Sequence, residues 1–111
     1  MNASQIERLL ASIPEKIEPR HRKRVMGYAA TARRIDARIS ALRVSLERAL
    51  RAVDDDVARG LGDKSADRAL QLAQELESLE RVQPRVDSWL RVAVGAVADD
   101  PGLEPFGEGP V

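Results

Sequence analysis

Three groups of residues have the types and spacing that chemistry uses. Asp54-Asp55-Asp56 is the densest run of carboxylates and in principle a Mg²⁺ site. Consecutive helical residues point about 100° apart, so three in a row cannot converge on one ion inside a helix. A solvated face is the expectation for them, and for Asp99 and Asp100. His21 is the lone histidine and there is no cysteine, which removes histidine clusters, thiolate metal sites and disulfides together. Lying inside a basic run, His21 is expected to be solvent-exposed. A Gly-rich phosphate loop, a nucleophile elbow and an HExxH helix are all missing from the sequence. The expectation is a protein that is not an enzyme, with no catalytic residues, no metal and no cofactor.

The third group is Arg20-His21-Arg22-Lys23-Arg24. Cations at the start of a helix oppose its macrodipole, so stability alone does not favour them there. Arg20, Arg22, Lys23 and Arg24 are therefore the candidate site for an anionic partner, either nucleic acid through its phosphates or an acidic protein surface. Glu104 and Glu108 of the chain's own C-terminal segment are acidic groups of that kind. The formal charge is zero overall, but residues 1–51 hold twelve Lys/Arg against five Asp/Glu, and residues 52–111 hold six against thirteen. Such a split marks either separate binding surfaces or the pairing code of two adjacent helices.

The elements that carry these residues follow from apolar spacing. Tyr28, Ala32, Ile35, Ile39, Leu42, Leu46, Ala49 and Val53 are separated by alternating steps of four and three. Ala69, Leu72, Leu76, Leu79, Gln83, Val86, Leu90, Ala93 and Val97 repeat the pattern. This spacing averages about 3.5 residues per turn and keeps one seam of a helix facing a partner. Joined through Gly60-Leu61-Gly62, the two ladders predict an all-α fold, a long antiparallel, coiled-coil-like helical hairpin over residues 20–98. Its turn falls at 60–64, and Pro84 kinks the second arm or divides it into collinear pieces at 65–82 and 84–98. The seam is expected to bury Ile35, Ile39, Leu46, Leu76, Leu79, Val86 and Leu90. Gly27 and Ala29 face Gly95 and Ala96, so that small residues pinch the open end together. Asp63 or Ser65 caps the second arm.

Residues 1–13 form a short helix that packs on the hairpin, opened by a Ser4/Glu7 capping box and apolar at Ile6, Leu9, Leu10 and Ile13. Residues 14–19 are a linker bracketed by Pro14 and Pro19, with Ile17 as its anchor. Residues 99–111 read as an irregular acidic Pro/Gly tail.

Leu50, Val82, Trp89 and Val94 widen the apolar stripe beyond what one partner helix covers, and Val44 and Leu70 lie further round. With Phe106, an aromatic set among turn residues and acids, they form the candidate protein interface. Trp89 is expected beside Arg38, close enough for the guanidinium to stack on it. The expected remedy for the wide stripe is a bundle completed by self-association, as a dimer or higher oligomer, or a protein partner. The expected functional surface lies near the basic run, away from the turn. The expected function is thus a non-catalytic interaction or adaptor module, and the alternative is a small nucleic-acid-binding accessory protein. No apolar run approaches the ~20 residues that span a bilayer, which suggests a cytoplasmic protein without membrane contact. Fifteen Arg against three Lys point to a GC-rich bacterial or phage genome. The outline resembles secreted WXG-type helical hairpins, from which the Gly60-Leu61-Gly62 turn departs by lacking Trp-x-Gly.

Overall fold

A computed structural model describes residues 1–60 and 63–99, with side chains for all of these except 63, 98 and 99. Leu61, Gly62, Asp100, Glu104, Phe106, Glu108 and the expected acidic tail therefore lie outside the described residues, as does any capping by the Asp63 side chain. Three helices make up the described chain: α1 (Ala3–Ala11), α2 (Pro19–Ala58) and α3 (Asp63–Asp99). The two long helices pack against each other in a hairpin-like, all-helical arrangement.

Each helix start has a local cause. The capping box that opens α1 is earlier than Ser4/Glu7: the Asn2 side chain accepts from the Gln5 amide, and the Gln5 side chain accepts from the Asn2 amide, both at 2.9 Å. An amide oxygen at Asn2 serves the N-cap as well as a hydroxyl does, and Ser4 falls inside the helix. Proline is tolerated at the first position of α2, where an N–H would have no partner, and the Glu18 carbonyl accepts from the amides of His21 and Arg22. Gly60, with φ of 77°, follows the end of α2, and its amide donates to the Val57 carbonyl at 3.0 Å. That left-handed backbone suits glycine. Ser65 does not cap α3. It sits inside the helix and its hydroxyl donates to Asp56. Pro84 lies inside a continuous α3. It faces solvent, as does Glu80, whose carbonyl loses its helical donor to the proline ring.

The chain divides into two compact units. Unit 1 comprises Met1–Asp36 and the chain from Gln83 onward, so it holds α1, the start of α2 and the end of α3. Its interior is Ile6, Val25, Tyr28, Ala29, Ala32, Ile35, Val86, Leu90, Ala93, Val94 and Val97, all buried. The Met1 amino group pairs with Asp87, tying the start of α1 to α3. Gln83 Nε2 reaches Asp36 Oδ1 at 3.4 Å. Gly27 and Gly95 do not pinch the helices together. Both are exposed, and a Cβ on either would meet nothing within 4 Å; of the other two, Ala29 is buried and Ala96 half-buried.

Unit 2 is Ala37–Val82, two helical arms with no third helix among the described residues. Asp56 meets Ser65 and Arg38 meets Glu75, so the arms run in opposite directions. Ile39, Leu42, Ala69, Leu72 and Leu76 are buried, but Leu46, Ala49, Val53 and Leu79 are only half-buried. Two of the expected seam residues, Leu46 and Leu79, are therefore incompletely covered, because a pair of helices shields only a narrow stripe on each. No described helix is long and apolar enough to cross a membrane.

Candidate functional site

The basic start of α2 is less available than its composition suggests. Arg20 is exposed, but its Nε lies 2.7 Å from Glu18 Oε2. Arg22 Nη2 donates to the Glu15 carbonyl at 3.0 Å, holding the linker onto α2. Arg24 is half-buried and acts electrostatically on Tyr28. Lys23 is exposed. Burial pushes the Tyr28 phenol above its ordinary range, and the positive charge of Arg24 pulls it partly back.

His21 is not solvent-exposed. It is 1% exposed, and its Nε2 has no hydrogen-bond partner among the described residues. Glu18 Oε2 is 3.8 Å from that nitrogen, beyond hydrogen-bond reach. The cause is helical phase: stepping back from Tyr28 by three and then four residues reaches Val25 and His21, and both lie in the interior of unit 1. Buried Asp87 accepts the Met1 amine with one oxygen and leaves Oδ1 without a partner among the described residues. No group of three His, Cys, Asp or Glu that could hold a metal ion occurs among the described residues. Asp54 and Asp55 are exposed, while Asp56 is half-buried against Ser65.

The candidate interface residues separate. Val94 is 2% exposed, so it belongs to the interior of unit 1 and offers no surface to a partner. It sits on the α3 stripe between Asp87, which binds the Met1 amine, and Val97. Trp89 is half-buried in unit 1. Arg38, expected beside it, belongs to unit 2, where its Nε and Nη2 both donate to Glu75 Oε1, at 2.9 and 2.7 Å. Leu50 and Val82 are exposed in unit 2, and Phe106 lies outside the described residues.

Around Leu50 the surface becomes continuous. Leu46, Leu50, Val53, Ala66, Ala69, Leu70 and Ala73 line an open groove of roughly 360 Å³. Its wall is Leu, Val and Ala alone. Leu50 and Leu70, 51% and 57% exposed, are its most prominent residues, and Val44 and Val57 are further exposed apolar residues of the same unit. Spacing along the main seam alone puts Leu70 too far round the helix to join them. The signal that places it with Leu50 is the stripe Ala66, Leu70, Ala73, which runs at steps of four and three beside that seam.

No protein-family model matches the chain, and comparison with curated proteins and with solved structures found no significant match.

Proposed function

We propose that this protein is a non-catalytic helical interaction module that pairs with a second copy of itself through the apolar groove of unit 2. The observation that supports this reading is the groove around Leu50 and Leu70, bare of any charged or hydrogen-bonding side chain. Contiguous apolar surface of this kind is a mark of an interaction site. An isologous pairing lets the Leu50 and Leu70 side chains of one protomer enter the groove of the other. It supplies the missing third and fourth helices, giving a four-helix arrangement with coiled-coil-like packing at the half-buried positions Leu46, Ala49, Val53 and Leu79. This places the functional surface in the unit that contains the Gly60 turn, not at the basic start of α2. The setting we propose, a cytoplasmic assembly in a bacterium or phage, rests on composition.

Light scattering tests the pairing. The intact protein should have twice the 12.2 kDa chain mass, and Leu50→Glu or Leu70→Glu should restore the single-chain mass while leaving the circular dichroism spectrum helical. A single-chain mass for the unchanged protein at tens of micromolar refutes it. The competing reading, nucleic-acid binding, draws on the exposure of Arg20, Arg22 and Lys23. It requires duplex or single-strand binding with a steep salt dependence. The slope should then fall by roughly one unit for each phosphate-binding cation removed in Arg22→Ala and Lys23→Ala.

A further inference from the structure

A second cleft lies within unit 1, where α1 meets α3. It has a volume of about 310 Å³ and is walled by Met1, Gln5, Arg8, Leu9, Ser12 and Arg91, a size at the lower end of small-molecule sites, which begin at about 300 Å³. Its hydrogen-bonding groups divide sharply into those already used and those left over. Gln5 Oε1 accepts the Asn2 amide at 2.9 Å. The Ser12 hydroxyl donates to the Leu9 carbonyl at 2.6 Å. The Met1 ammonium is paired with Asp87. The guanidinium groups of Arg8 and Arg91 and the side-chain NH₂ of Gln5 have no partner among the described residues, and these three are donors.

Neither arginine has an ion-pair or hydrogen-bond partner among the described residues. The wall contains no carboxylate. Arg8 stands in the last turn of α1, where a cation complements the helix dipole, and so has a structural reason to be there. Arg91 has none of that kind: it is in the interior of α3, well before Asp99. Two like charges at one cleft repel, and an anion between them converts that repulsion into charge-assisted hydrogen bonding.

We propose that this cleft is an oxyanion site that takes the phosphate or carboxylate head of a small molecule. Arg8 and Arg91 bind the charge, Gln5 Nε2 supplies a third donor, and the side chains of Leu9 and Met1 receive the less polar part of the ligand. The guanidinium is the side chain whose planar fork fits both heads in a bidentate manner. The site is independent of the pairing proposed for unit 2, because it draws on no residue of that unit.

The test uses the full chain, labelled with ¹⁵N and titrated with inorganic phosphate, and separately with acetate, at constant ionic strength held by chloride. Saturable shifts confined to the Nε–H groups of Arg8 and Arg91 and the Gln5 amide are the expected result, and the tighter of the two probes identifies the head group. Arg8→Gln and Arg91→Gln, both at exposed positions, should each weaken binding by about tenfold or more, since each removes a charge-assisted hydrogen bond. Lys64→Gln should leave it unchanged. Shifts that grow linearly without saturating, shifts centred on Arg20 to Arg24, or unaltered binding in Arg91→Gln would each overturn the assignment.

Discussion

The two units are built from the same pair of helices and the same heptad-like spacing, yet they bury it to different depths. In unit 1 the ladder positions Tyr28, Ala32, Ile35, Val86, Leu90, Ala93 and Val97 are all buried. So are Val25, Ala29 and Val94, which flank or extend the ladder. In unit 2 the same kind of ladder fades at Leu46, Ala49, Val53 and Leu79, and Val44, Leu50, Val57, Leu70 and Val82 stand exposed, against Met26 and Val92 in unit 1. The structural variable is α1. A nine-residue helix is too short to be stable alone, but by docking Ile6 in unit 1 it turns a two-helix contact into a three-helix core. Spacing sets which face turns inward, and the number of partner helices sets how wide a face can be covered.

The largest expected effects come from breaking the better-filled unit. Leu90→Ala, at a fully buried position, should cost about 2–5 kcal/mol through reduced transfer energy and a cavity. Leu79→Ala, half-buried in unit 2, should fall near or below the bottom of that range. Urea unfolding of both variants at one protein concentration measures the difference, and equal losses would erase the contrast. Ile6→Ala comes next, at about 2–4 kcal/mol. It should release α1 and raise hydrogen exchange at Val94 and Leu90 toward the level of unit 2; unchanged exchange there would mean α1 is not what closes unit 1.

Smaller changes sharpen the comparison without breaking it. Gly27→Ala and Gly95→Ala each place a methyl group in open space on a helix of unit 1. Each should therefore raise stability by about 0.5–1 kcal/mol, read as an increased urea midpoint. Tyr28 gives unit 1 a pH dependence. Its folded phenol holds its proton to higher pH than the unfolded one, so from about pH 10 upward the folded state binds more protons and stability declines as pH rises. Tyr28→Phe should flatten that decline. Glu75→Gln, which breaks the exposed Arg38 ion pair of unit 2, should change stability by less than about 1 kcal/mol.

The helices and their inward faces are legible in the sequence because alternating three-four spacing has one physical reading. The α2 boundaries follow from Pro19 and Gly60 for similarly local reasons. The position of His21 is also legible, since the ladder extended back from Tyr28 through Val25 lands on it; the surrounding arginines obscure a phase that the apolar residues have already set. The burial of Val94 is legible too, since steps of four from Leu90 and three to Val97 put it on the inward face beside Ala93. The Arg8–Arg91 cleft is hidden: those residues are more than eighty positions apart, and only the docking of α1 on α3 brings them to one wall. The exposed groove of unit 2 is half visible, with Leu50 recognisable as surplus and Leu70 masked by its distance from the main seam.

On the pairing we propose, the open groove of unit 2 is covered by a second copy. Amide hydrogen exchange followed as a function of protein concentration tests it most directly. Protection at residues 44–57 and 66–79 is expected to rise with concentration across the association range, while protection at residues 25–35 and 86–97 stays constant. Protection in both units that does not depend on concentration, from a dilute to a concentrated solution, would contradict it.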